Sequence, residues 1–141
     1  MAVRVWIRIR LGGREALVSA LVNSGFEAEE PQLVIPLRLY EVLGMSSDRI
    51  SIEDFSTAGG GRASGYRLED PVDLELVLED RPPVKAMARV TVLPGETEVI
   101  MSDHLASELG IVILDPYRGD WCLFDELGER RRITAKLQEW R

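Results

Sequence analysis

Residues Val3 to Leu11 alternate strictly, with Val3, Val5, Ile7, Ile9 and Leu11 on one face and Arg4, Trp6, Arg8 and Arg10 on the other. That is the period of a half-buried strand. Gly12-Gly13 predicts a hairpin, and the chain returns as Glu15 to Val22. The arginine face reads as a solvated strand face that also protects an edge. The apolar run Ala16 to Val22 stops at Asn23-Ser24-Gly25, a polar loop follows, and Leu33 to Ile35 is a second apolar strand. Pro36 then opens a short helix with Leu37, Leu39, Tyr40 and Leu43 as its apolar positions, and Gly44 ends it. Ser46 to Asp54 predicts a loop with one short strand around Ile50 to Ile52.

Ser56 to Gly65 has almost no side chain to pack, and three consecutive glycines belong in a turn or a mobile loop. Tyr66 to Leu78 resumes alternation, with Val72, Leu74, Leu76 and Leu78 inward and Asp73, Glu75 and Val77 outward. Glu79 to Pro83 is a turn, because two prolines do not sit in a paired central strand. Val84 to Leu93 is the next strand. Ser102 and Asp103 can cap a short helix that Gly110 ends. Ile111 to Leu114 and Trp121 to Phe124 are short strands, followed by turns at Asp115 to Gly119 and Asp125 to Gly128. The tail, Glu129 to Arg141, fits a strand or a charged helix, and Arg130-Arg131-Arg132 reads as a solvated face. Many short strands between Gly and Pro turns predict a mainly β domain.

One pattern occurs twice. Val92-Leu93-Pro94-Gly95 takes the place of Val22-Asn23-Ser24-Gly25, and Val99-Ile100-Met101 that of Leu33-Val34-Ile35. Ser102 through Ile111 then aligns with Pro36 through Met45, both copies ending in Leu-Gly and a large apolar residue. The chain therefore reads as two related halves, each strand, loop, strand and short helix. Only the first half has a polar residue at its loop, so a site that needs two must borrow one from another chain.

With 141 residues the chain makes one domain with a modest core. A net charge of −7 argues against nucleic acid as the main partner, because phosphate binding favours a basic surface. A single cysteine, Cys122, excludes an internal disulfide and reads as a small buried apolar residue in a reducing compartment. No apolar run approaches the ~20 residues of a membrane helix, and the charged, alternating N-terminus is unlike a signal peptide. These features predict a cytoplasmic protein with no membrane partner.

Ser102-Asp103-His104 is not a triad, since three consecutive residues cannot orient on one another; it reads as a helix start. One His and one Cys without clustered spacing predict no metal and no cofactor. The glycine-rich stretch lacks the Lys-Ser/Thr of a phosphate-binding loop. Glu27, Glu29 and Glu30 either line a cleft or are solvated loop acids. Asn23-Ser24-Gly25 either presents a polar side chain in a cleft or is an ordinary turn.

The first copy resembles the active-site segment of retroviral-type (retropepsin-like) aspartic peptidases: an apolar strand, Asp-Thr-Gly or Asp-Ser-Gly, a loop, a strand, and a helix ending in Leu-Gly. The second copy resembles that family's later segment, here Ile100-Met101-Ser102 and Asp103 to Leu109. The resemblance covers roughly Val3 to Phe124. It departs at Asn23, where the family has its catalytic Asp, and at Ser102, where glycine is expected. It implies an all-β, acid-protease-like closed barrel with two pseudo-symmetric halves and one or two short helices, spanning 1–128, with 129–141 as a charged tail. It also implies an aspartic endopeptidase working as a homodimer on peptide or unfolded protein, with one catalytic position per subunit. Asn23, Ser24 and Gly25 would hold the catalytic place. Phe26, Glu27 and Ile100 would line subsites, and Thr57, Ala58, Gly59, Gly60 and Gly61 would form a flap over bound peptide. An Asn amide cannot take up a proton at any useful pH, so the chain as written is expected to bind peptide without cutting it. Either Asn23 is an engineered replacement of the Asp of an active peptidase, or it is the native residue of a non-catalytic binder.

Overall fold

A computed structural model describes residues 2–44, 50–56 and 59–141. Among these described residues ten strands and two short helices follow one another: β1 (Arg4–Leu11), β2 (Arg14–Val22), β3 (Gln32–Pro36), α1 (Leu37–Val42), β4 (Ile50–Ser56), β5 (Arg62–Leu68), β6 (Val72–Leu76), β7 (Val84–Leu93), β8 (Val99–Met101), α2 (Asp103–Glu108), β9 (Ile111–Asp115) and β10 (Asp120–Leu123). A single 3-10 turn, Phe124–Glu126, follows. Strands β3, β8, β2, β1, β6 and β7 are neighbours in that order, and β3 also pairs with β7, so the sheet closes into a barrel. The β4–β5 hairpin joins it through Tyr66 and Arg67 against β7, and β9–β10 form a separate ribbon.

The inward positions of the alternating strands make the core. Val5, Ile7 and Ile9, Val18 and Ala20, Val72, Leu74 and Leu76, and Val90 and Val92 are all buried in one apolar cluster. Leu39 of α1 and Leu105 and Leu109 of the α2 segment close its ends. No helix among the described residues is long and apolar enough to cross a membrane.

The repeat is visible in the hydrogen-bonded register. β2 runs parallel to β8 with Val22 opposite Met101, while β7 runs parallel to β3 with Val92 opposite Ile35. Exchanging the two copies of the repeat converts one pairing into the other. β3 and β8 pair antiparallel with each other, Val34 opposite Ile100, and so map onto themselves. Each half is thus three strands and a helix followed by a hairpin, β4–β5 after the first helix and β9–β10 after the second. Both helices end at a glycine with positive φ, Gly44 (66°) and Gly110 (76°), a backbone state that glycine adopts without a side-chain clash.

Several expectations are corrected. β1 is not an edge: it lies between β2 and β6, and its arginines are paired instead of free. Arg8 stands directly opposite Glu75 and donates to it at 2.6 Å, Arg10 donates to the same carboxylate at 3.3 Å, and Arg4 pairs with Glu98. Glu75 points outward as its parity requires, yet these guanidinium groups cover it and hold its carboxyl below the usual range. The alternation from Tyr66 to Leu78 is two strands, because Pro71 has no N–H to donate to a ladder and the chain turns there from the hairpin into the barrel. The strand around Ile50 to Ile52 extends to Ser56 as one arm of that hairpin.

The segment after Gly128 is neither a regular strand nor a helix. It is extended along the barrel, with one bridge between Trp121 and Arg132. Arg132 is not part of a solvated face: its guanidinium bonds Glu126 and Asp80 and stacks 5.6 Å over the Trp121 ring. Arg130 and Arg131 stay exposed beside Asp80 and Asp120.

Candidate functional site

Strand β2 ends where the two halves cross. The Asn23 amide donates to the Met101 carbonyl at 3.2 Å, so the loop begins at the last residue of β8. Within the loop the Asn23 side chain closes an Asx turn: Oδ1 accepts from the Gly25 amide at 3.0 Å, and the Asn23 carbonyl accepts from Phe26 at 3.0 Å. A Cβ at position 25 would stand 3.3 Å from Asn23 Oδ1, a close contact that glycine avoids. Asn23 is half-buried, whereas Ser24 and Gly25 are exposed. The equivalent position in the second half is Leu93, so each chain presents one polar group at this point of its two-fold scaffold.

The rest of the loop is latched to the start of α2. The Phe26 carbonyl accepts from the Asp103 amide at 2.9 Å, and Asp103 Oδ1 accepts from Ala28 at 3.0 Å. Ser102 donates its amide to the Gln32 carbonyl, while its Oγ accepts from the amides of Gln32 (3.0 Å) and Leu105 (3.1 Å). Ser102 is fully buried, so its hydroxyl both caps α2 and fixes the end of the loop. Replacing Ser102 with Ala leaves the buried Leu105 amide and the half-buried Gln32 amide without that acceptor. The expected loss of stability is about 2–3 kcal/mol, read as a lower urea midpoint at unchanged slope.

Beside Asn23 and Ser24 lies a groove of about 230 Å³, walled by Val3, Leu21 and Val22 on one side and by Ile113 and Pro116 on the other. Ile113 and Pro116 were not among the sequence candidates. They belong to the ribbon after α2 and reach the site only through the packing of the second half, which no local spacing announces. Phe26 is half-buried, Glu27 is exposed, and Ile100 is half-buried between Leu21 and Val34 on its two neighbouring strands.

The glycine-rich stretch is the tip of the β4–β5 hairpin. Gly59 and Gly60 have φ of 92° and 84°, and Gly59, Gly60 and Gly61 are exposed; Thr57 and Ala58 lie outside the described residues. The hairpin is tied to the site loop at its base. Arg67 of β5 pairs with Glu30 of the loop and lies 3.5 Å from Glu53 of β4, and Arg89 of β7 approaches Glu30 at 3.8 Å. Glu30 is thus a structural partner, while Glu27 and Glu29 are exposed beside a depression lined by Ala28, Gln32 and Arg67.

The His104 ring contacts the site loop and its own helix. Its Nδ1 lies 3.3 Å from the Ala28 carbonyl and its Nε2 3.5 Å from Glu108, one turn on. Cys122 is fully buried, and burial pushes its thiol pKa up, away from reactivity. Among the described residues no group of three His, Cys, Asp or Glu side chains is placed to hold a metal ion. Comparison with protein-family models gives no match, and comparison with curated proteins gives none.

Proposed function

We propose that this chain is a retropepsin-like scaffold that binds extended peptide or unfolded protein segments as a C2 homodimer, with Asn23 in the catalytic position and no turnover in this form. The observation that carries the reading is the Asx-turn loop Asn23-Ser24-Gly25 at the crossing of two strand–loop–strand–helix halves. Its counterpart is the apolar Leu93, so a second polar group has to come from a second copy. A hairpin with a glycine tip, anchored to the same loop through Arg67 and Glu30, supplies a cover for a bound segment.

A second reading, in which Asn23 is native and the protein is a non-catalytic binder, is supported by Ser102. The hydroxyl at this position, where the family resemblance calls for glycine, is built into the latch that holds the site loop. Both readings share one test. Sedimentation of the chain at micromolar concentration is expected to give a dimer, and a fluorescently labelled, reduced unfolded protein is expected to bind it saturably. A monomer that leaves the labelled protein unbound would sink both.

A further inference from the structure

The two parallel seams of the barrel differ in one hydrogen bond. At the β3–β7 seam the Arg89 amide donates to the Pro31 carbonyl at 2.9 Å, one residue ahead of β3. Arg89 stands three residues before Val92 as Ser19 stands three before Val22, and Pro31 stands two before Leu33 as Thr97 stands two before Val99. The equivalent bond at the β2–β8 seam would therefore run from the Ser19 amide to the Thr97 carbonyl. Both groups are instead taken by the C-terminal segment: Ser19 donates to Gln138 Oε1 at 3.0 Å, and Thr97 accepts from the Trp140 amide at 2.7 Å.

The segment is seated, not loosely draped. The Arg4 amide donates to Thr134 Oγ1 at 2.7 Å, Ala135 donates to the Arg4 carbonyl at 2.8 Å, and Trp140 packs against the core cluster. Alternation places Ser19 on the outward face of β2, between the inward Val18 and Ala20, yet it is fully buried. The seat is imperfect: Ser19 Oγ and Trp140 Nε1 are both buried without a hydrogen-bond partner among the described residues. A buried unpaired donor costs free energy, so this contact is held less firmly than the ladder bond it replaces. The exposed side chains of Ile133 and Leu137 add little to its hold.

We infer that residues 133–141 form a releasable strap that wedges the β2–β8 seam open. With the strap in place β8 begins at Val99. With the strap released, the Ser19 amide pairs with Thr97 as Arg89 pairs with Pro31, and β8 gains a ladder bond at its start. Release gives up four strap bonds and the packing of Trp140 for one barrel bond and two satisfied side chains, so the seated strap is the favoured position and release is a local opening of the fold. Met101 at the other end of this three-residue strand receives the Asn23 amide, which places the strap one short strand from the site loop. The inference does not depend on what the cleft binds.

The test is amide hydrogen exchange on the full chain. In the Gln138→Ala/Trp140→Ala variant the amides of Ala135 and residue 140 are expected to lose at least about tenfold of their protection, and trypsin is expected to cut after Lys136. The Ser19 amide is expected to stay within about threefold of its original rate, because Thr97 takes it over. Loss of Ser19 protection together with the strap overturns the inference, and so does a strap that stays protected. Should the variant fail to fold, the unsubstituted chain carries the test: in low denaturant the strap amides must open before Ser19, and joint opening overturns the idea.

Discussion

Replacing Asn23 with Asp is expected to produce acid-favoured peptide cleavage that the Asn23 chain lacks, with a gain on the order of 10²–10⁴ or more from the general base alone. The substitution changes chemistry at nearly constant geometry. The Oδ1 that accepts from the Gly25 amide is retained by a carboxylate, and a charged acceptor strengthens that bond. In a homodimer two such carboxylates would face each other and share one proton. One would act as base on water and the other as acid toward the scissile carbonyl, with apparent pKa values that belong to the pair. The rate is therefore expected to peak below neutrality and to fall as the shared proton is lost. Mass spectrometry of self-cleavage and of an unfolded substrate, followed between about pH 3 and 7, reads the outcome. A variant that remains folded, dimeric and inert would remove the peptidase reading and leave the binder.

Replacing Arg132 with Ala is expected to cost about 3–5 kcal/mol, the largest loss of stability among single changes outside the apolar core. Its guanidinium donates to both oxygens of Glu126, at 2.9 and 2.7 Å, and to both oxygens of Asp80, at 2.9 and 3.1 Å. The side chains of Arg132 and Glu126 are only 9% and 10% exposed, so removing the cation leaves a buried carboxylate with Arg81, at 3.3 Å, as its remaining cationic partner. Glu126 also accepts from the Leu123 amide at 3.0 Å, which joins the β10 strand to the tail through one side chain. These contacts hold the Glu126 pKa at about 2, below its ordinary 4.5, chiefly through the bond from Arg132. A carboxyl depressed in the folded state adds stability above its unfolded pKa. That stability is present above about pH 4.5 and is lost as pH falls toward about 2. In Arg132→Ala the Glu126 pKa rises, so the remaining acid dependence moves to higher pH. Urea midpoints at several pH values on either side of 4.5 check both statements; a variant with unchanged midpoints would show that the cluster adds nothing to the fold.

Much of the barrel was readable along the chain because burial on a pleated strand repeats every second residue. Val5, Ile7 and Ile9 and the run Val84 to Leu93 needed no partner to declare their faces. The repeat was readable for the same reason: Leu33-Val34-Ile35 and Val99-Ile100-Met101 fill equivalent places, and their registers agree. The Asn23-Ser24-Gly25 loop announced itself as a polar break in an apolar run. What periodicity could not carry was pairing. Whether Arg8 met solvent or Glu75 depended on which strand lay beside β1, a contact 67 residues away in sequence. Ile113 and Pro116 beside Asn23, Arg67 on Glu30, Ser102 as the latch of a loop and Arg132 on Glu126 likewise follow from where strands cross. The sequence by itself determined which residues face inward, where the chain turns and that it does so twice over. Only the tertiary structure decided which polar groups are paired and that the tail takes two groups of the β2–β8 seam, because hydrogen bonds and ion pairs between distant segments leave no period in the chain.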